Sequence, residues 1–257
     1  LSVDANGNII ETTGGGAGGP YVPYVSGTDR IARTEGAATY NTSLGFQALQ
    51  NLSTGTSNTV MGALAGDALT SGEKNTAFGY NALGTEDTGG QNVAIGYRAL
   101  SELDYAGNGF NTALGSDAGR KVSTGTNNTL IGALAGDAIT SGQYNVALGY
   151  NALSTEDTGS SNVAIGFHSL EDLNYNGSAY NTAIGHSAGR NVSTGVNNTF
   201  VGALVGDALL TGGNNTAIGY AALSAADGDE NYNVAIGSGS LMNLDGSGDM
   251  WNTAVGT

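Results

Sequence analysis

The chain has 257 residues, with 44 glycines, two prolines, no cysteine and a formal charge of −15 from 22 acids against 7 bases. That acidic balance excludes a nucleic-acid footprint and attraction to an anionic membrane surface, both of which need clustered cations. Without cysteine there is no disulfide framework or thiolate metal site, and no run approaches the ~18 apolar residues of a membrane-spanning helix.

In chain order, residues 1–40 stand apart as an N-terminal assembly segment. Leu1 to Ile10 reads as a short hairpin about Asn6-Gly7, a favoured two-residue turn. Gly14 to Gly19 reads as a flexible linker. Pro20-Tyr-Val-Pro-Tyr-Val25 reads as an extended apolar segment whose prolines do not suit a central strand.

Residues 41–257 form one repeat domain. The unit Asn-[Thr/Val]-x-[apolar]-Gly recurs thirteen times, opening at Asn41, Asn58, Asn75, Asn92, Asn111, Asn128, Asn145, Asn162, Asn181, Asn198, Asn215, Asn233 and Asn252. Most units follow one another at a 17-residue period, as from Asn41 to Asn58, and every fourth step is slightly longer, as from Asn92 to Asn111. Four units therefore make a super-repeat, and Asn41, Asn111, Asn181 and Asn252 head the successive copies. So short a period cannot hold a helix pair, and a glycine in every unit costs a helix about 1 kcal/mol each. Each period is therefore read as one coil of an all-β parallel β-solenoid. Coils stacked at about 4.8 Å make a rod of roughly 60 Å from thirteen layers.

Side chains alternate across a strand, so Val146 and Leu148 share one face while Asn145, Ala147 and Gly149 share the other. The expectation is that Thr or Val and the larger apolar residue fill the coil interior. The opposite face is alanine at Ala77, Ala94, Ala113, Ala147, Ala164, Ala183, Ala217, Ala235 and Ala254, and bulky at Val60, Leu130 and Phe200 in the second coil of each super-repeat. Alanine retained this often points to close approach by another backbone, so this face is expected to be the subunit interface. The bulky residues would pin its register. The opening asparagines are expected to stack as a ladder of side-chain amides along the axis.

Units such as Asn92-Val-Ala-Ile-Gly96, Asn162-Val-Ala-Ile-Gly166 and Asn181-Thr-Ala-Ile-Gly185-His-Ser-Ala-Gly189 resemble the repeats of trimeric autotransporter adhesin heads. They are more similar still to the Asn-Thr-Ala-Ile-Gly-Tyr-x-Ala-Leu repeats of bacteriophage tail fibres and related surface proteins. The resemblance covers residues 41–257. It implies a left-handed β-roll, a homotrimer about one axis, an extracellular place on a virion or cell surface, and a role in attachment. The adhesin heads use shorter coils than these, so their geometry does not carry over in detail.

The candidate sites are weighed against structural readings. Arg120 with Asp137, and Arg190 with Asp207, occupy equivalent places on successive coils and read as ion pairs. Acids recur in turns, among them Glu86, Asp87, Glu156 and Asp157. These read as solvated, with calcium as the alternative because it takes oxygen ligands of this kind. No other cofactor is expected. His168 and His186 have no carboxylate at a fitting place, and no serine or threonine has a base to activate it, so the chain is expected not to be an enzyme.

Aromatics five residues after the Asn, including Tyr80, Tyr97, Tyr150 and Phe167, read as packing ladders. Tyr105, Phe110, Tyr175, Tyr180 and Trp251, in turns that recur once per super-repeat, are the candidates for lateral contact with a surface glycan or receptor. Thr257 falls partway through a coil. Either further chain or a neighbour's N-terminal segment is expected to complete it, the latter giving head-to-tail filaments without receptor specificity. Ice binding is the least favoured reading, because alternation is taken to turn the threonines inward.

Overall fold

The computed structural model describes residues 40–225, 228–244 and 246–257 in full. Before residue 40 it describes only three strands, by their backbone: β1 (Ser2–Val3), β2 (Ile9–Ile10) and β3 (Asp29–Thr34). β1 and β2 pair antiparallel, Ser2 with Ile10 and Val3 with Ile9, as a hairpin centred near residue 6 requires. The Asn6-Gly7 turn, the Gly14 to Gly19 linker and the Pro20 to Val25 segment lie outside the described residues.

The repeat domain contributes one strand per unit. These are β4 (Asn41–Phe46), β5 (Thr59–Met61), β6 (Thr76–Phe78), β7 (Val93–Ile95), β8 (Thr112–Leu114), β9 (Thr129–Ile131) and β10 (Val146–Leu148). They continue as β11 (Val163–Ile165), β12 (Thr182–Ile184), β13 (Thr199–Val201), β14 (Thr216–Ile218), β15 (Val234–Ile236) and β16 (Thr253–Val255). They pair in parallel and in sequence order, unit on unit, so that Ala77 faces Ala94 and Ala147 faces Ala164 across neighbouring strands. This is an all-β parallel β-solenoid in which most coils keep the 17-residue period, and the described residues contain no helix. At the N-terminal end β3 runs antiparallel along the whole of β4, Asp29 opposite Phe46 and Thr34 opposite Asn41. The otherwise bare edge of the first coil is thereby covered.

Such short strands cannot hold the stack alone, and coil-to-coil bonding continues through the turns. Leu100 N–H donates to Ala118 O at 3.1 Å, Ser123 N–H to Thr140 O at 2.9 Å, and Gly125 N–H to the same carbonyl at 3.1 Å. The bends need left-handed backbone. The residue before each Asn has positive φ in all thirteen units, from Tyr40 at 63° to Trp251 at 53°, a conformation that costs a non-glycine about 1 kcal/mol or more. The glycine closing each strand has a second constraint. Gly149 has φ 141°, and a Cβ there would stand 2.3 Å from Gly166 O of the next coil. Only glycine meets both demands.

Alternation along the strand is as expected, but its sense is reversed. The asparagine and alanine positions point into the coil, while Thr or Val and the larger apolar residue point outward. Ala77, Ala94, Ala113, Ala147, Ala164, Ala183, Ala217 and Ala235, together with Leu130 and Phe200, are fully buried within one chain, so they cannot form a subunit interface. The reason is volume. Two further inward positions, eight and eleven residues after the Asn, already supply Leu83, Leu153 and Leu170, and Leu69, Leu103 and Leu173, all with no exposure. What remains under the strand accommodates a methyl group.

Where the strand does carry bulk, the space opposite is emptied. Leu130 replaces alanine in its coil, and Gly136 stands where Leu153 stands in the next. A Cβ on Gly136 would lie 2.7 Å from Leu130 Cδ2, and one on Gly119, in the preceding coil, 2.6 Å from Leu130 Cδ1. The bulky residues therefore lock coils of one chain together. They do not set register between chains.

Candidate functional site

The asparagines form a buried ladder along the rod. In all twelve steps the Oδ1 of one Asn accepts the backbone N–H of the next, at 2.8–3.2 Å. The Nδ2 usually crosses the coil to a carbonyl on the returning turn, as from Asn145 to Gly159 O at 2.9 Å and from Asn128 to Gly142 O at 2.8 Å. In the fourth coil of the first three super-repeats it turns back instead, from Asn92 to Gly90 O, Asn162 to Ser160 O and Asn233 to Asn231 O. Each side chain thus staples strand to turn and layer to layer. A buried polar group whose donors and acceptor are all in use stabilises the core and offers nothing to a substrate.

Three super-repeats place a glutamate inside. Glu86 and Glu156 occupy the position that Leu69 and Leu103 hold in other coils, and both are fully buried, as is Glu230. The expectation of solvated turns is corrected for Glu86 and Glu156. The three carboxylates answer a local need, each accepting one N–H from its own coil and one from the longer turn of the following coil. Glu86 Oε1 accepts from Gly89 N at 2.6 Å and Oε2 from Tyr105 N at 3.3 Å. Glu156 does the same with Gly159 N at 2.7 Å and Tyr175 N at 3.4 Å, and Glu230 with Gly228 and Gly246. Burial, only partly offset by these bonds, pushes the Glu86 and Glu156 carboxyls up to about 6.

Glu86, Asp87 and Asp104 bring carboxylate oxygens within 4.8 Å of one another. This oxygen set is the one place among the described residues where such a group of acids converges. The second super-repeat has Asn174 where the first has Asp104, so the cluster is not a repeating feature.

The ionic contacts differ from those expected. Arg120 pairs with Glu102 at 3.2 Å and Asp117 at 3.6 Å, and Arg190 with Glu171 at 2.7 Å. Both arginines thus reach back toward the preceding coil. No ion pair joins Arg120 to Asp137 or Arg190 to Asp207 among the described residues, although Arg120 lies close enough to Asp137 to oppose the effect of its burial. His168 does have a carboxylate at hand, with Nδ1 2.6 Å from Glu171 Oε2, while His186 stacks on Phe167 at 5.2 Å. Burial alone would raise the Glu171 carboxyl, but hydrogen bonds from Asn151, Arg190 and His168 hold it below its ordinary value.

The five candidate lateral aromatics do not converge. Phe110, Tyr180 and Trp251 each precede an Asn and stand exposed, one per super-repeat, along one border of the outward face, with Trp251 stacked on Tyr232 at 4.1 Å. Tyr105 and Tyr175 sit on the long turns above Glu86 and Glu156, and Tyr175 packs partly against the core.

The outward face is the most extensive feature of the surface. One column is Thr or Val from Thr42 to Thr253. The next is apolar from Leu44 to Val255, with Phe78 half exposed and Leu114, Leu148 and Ile184 each more than a third exposed. Beyond it stand the aromatics, Tyr80 stacked on Tyr97 at 5.5 Å and Tyr150 on Phe167 at 5.6 Å. The threonines therefore meet solvent, correcting the reading that turned them inward.

Comparison with known protein families, with curated proteins and with solved structures finds no match to this chain.

Proposed function

We propose that the chain is a structural segment of an extracellular fibre or adhesive shaft, with the chain itself as its main partner. The observation that supports this reading is the unbroken Asn ladder. Twelve equivalent steps join thirteen layers of nearly identical chemistry along roughly 60 Å. Uniformity of this kind makes a stiff spacer. Catalysis, in contrast, needs one locally distinct constellation, and the polar groups distinctive here (the asparagines and the buried glutamates) are occupied by backbone partners. The resemblance to phage tail-fibre and adhesin-head repeats supports the same reading, and with it a left-handed roll, a trimeric state and a place on a virion or cell surface. The exposed aromatics at Phe110, Tyr180 and Trp251 are the places where a shaft of this kind would touch a glycan or receptor from the side.

Immunogold electron microscopy on the virions or cells that make the protein tests the proposal. Gold particles strung along surface appendages are the expected result. Labelling confined to the cell interior would reject it.

A further inference from the structure

We infer that the chain holds a neutral, extended polysaccharide along one lane of the rod, which deepens the adhesive-shaft reading and rests on it. The lane is the column of residues that immediately precede the asparagines. Within it Phe110, Asn127, Tyr144, Ser161 and Tyr180 stand on successive coils, so an aromatic ring alternates with an amide or a hydroxyl. The column is in register. Asn127 N–H donates to Gly109 O at 2.8 Å, Tyr144 N–H to Thr126 O at 3.1 Å and Ser161 N–H to Gln143 O at 3.0 Å, each one coil back. All five residues share one left-handed backbone conformation, with φ from 51° at Phe110 to 64° at Ser161, so their Cβ atoms leave the chain in the same direction.

Neither the backbone nor the core accounts for these rings. Positive φ suits asparagine and glycine and penalises bulky side chains, and Asn127, Asn197 and Asn214 fill the same place elsewhere in the column. Phe110, Tyr144 and Tyr180 are each half exposed or more, so they bury little apolar surface in return. Nor do they cover one another as Tyr80 and Tyr97 do at 5.5 Å. The polar residue between them sets the rings two coils apart, about 10 Å, and none of the three stacks on another ring among the described residues.

Period and charge identify the occupant. The C–H face of a pyranose is apolar and packs on the negative face of an aromatic ring. In a β-1,4-linked chain each sugar advances by about the thickness of one coil, about 5 Å. Neighbouring sugars are turned over, so the same face returns at every second one. Phe110, Tyr144 and Tyr180 recur at that interval, and Asn127 and Ser161 stand level with the hydroxyl groups of the sugars between. An α-1,4-linked chain coils and does not follow a straight column. The ligand is uncharged. From Gln91 to Trp251 this column holds no charged residue, and neither does the column beside it from Gly90 to Met250, in a chain of net charge −15. A polyanion would meet that charge unopposed.

The test is isothermal titration calorimetry of the full chain with cellohexaose and chitohexaose, beside maltohexaose and an oligomannuronate, which is β-1,4-linked but anionic. The expected result is saturable binding of at least one neutral β-1,4-linked hexaose and of neither control sugar. Tyr144→Asn puts at the centre of the lane the residue type that Asn127 already supplies, in a conformation that suits it, so its melting temperature should not fall. Its affinity should drop about tenfold or more, as for the loss of one anchor residue. Tyr105→Ala, on a long turn off the column, should bind like wild type. Failure of both neutral β-linked hexaoses to bind, equal binding of either control sugar, or a folded Tyr144→Asn protein that binds like wild type would overturn the inference. An equal loss in Tyr105→Ala would also overturn it, by moving the site to the long turns. Appendage labelling by immunogold is decided by none of these outcomes, so the shaft reading and the lane are judged separately.

Discussion

Phe200 lies in the space that Gly206 leaves open: a Cβ on Gly206 would fall 2.6 Å from Phe200 Cε1. In the next coil the same two positions are Ala217 and Leu223, both buried, with the bulk on the opposite wall. These two layers thus reach a similar filling by two routes, a small strand residue with leucine opposite or a large one with glycine opposite, and Phe200 is large enough to fill space in its neighbour as well. Gly189 completes the arrangement from the preceding coil, where a Cβ would stand 2.9 Å from Phe200 Cδ2.

The pair should show strong coupling. Phe200→Ala leaves a cavity and is expected to cost about 3–5 kcal/mol. Gly206→Leu alone overfills the layer and also destabilises. The double variant recreates the arrangement of Ala217 with Leu223 and should be more stable than Phe200→Ala alone. Urea midpoints for the four proteins of the cycle measure this, and simple additivity would contradict the proposed packing.

Removing one rung of the ladder should be felt on both sides. Asn145→Ala orphans the Asn162 N–H and the Gly159 carbonyl, now bonded at 3.0 and 2.9 Å respectively. At about 1–3 kcal/mol for each unsatisfied buried group, the loss should be about 2–4 kcal/mol by chemical denaturation. Asn145→Asp should be no better, because the carboxylate brings charge into the core and cannot donate to Gly159.

Gly149→Ala adds one methyl group and should cost well above the ~0.5 kcal/mol of an ordinary surface change. The methyl would have to occupy a point 2.3 Å from Gly166 O, from a residue held at φ 141°. Local opening around residues 149–166 should appear as faster amide exchange there, with protection at the two ends of the rod retained.

Stability should rise as the solution is acidified from neutral pH. Glu86 and Glu156 titrate near 6 when folded against 4.5 when unfolded, so between those values the folded chain holds protons that the unfolded chain has lost. Stability is then fully present below about 4.5 and declines as pH rises through 6, by up to about 2 kcal/mol for each group. Burial raises Asp67, Asp137, Asp172 and Asp207 in the same sense, and Glu171 opposes it. Melting temperatures across pH 5 to 7 should fall with rising pH, and Glu156→Gln should flatten the slope.

The period, parallel stacking and the asparagine ladder are legible in the sequence because recurrence at fixed spacing leaves few ways to arrange a chain. The sense of the strand is not. Alternation separates Ala147 from Val146 and Leu148 but does not say which side is inside. The deciding signal lies off the strand, in Leu83, Leu153 and Leu223 opposite alanine and in Gly136 and Gly206 opposite Leu130 and Phe200. That compensation is visible only when the opposite wall of the coil is considered. Glu86 and Glu156 are obscured in the same way, since an acid near a turn resembles a solvated one until its alignment with Leu69 and Leu103 is noticed. β3 carries no repeat signature at all, because its partner is the single edge left by β4.

Cryo-electron microscopy of the full chain at micromolar concentration tests the central claim most directly. The account predicts rods that contain more than one solenoid, each with its alanines and asparagines enclosed within its own coils. Single-solenoid particles, or alanines lying between chains, would contradict it.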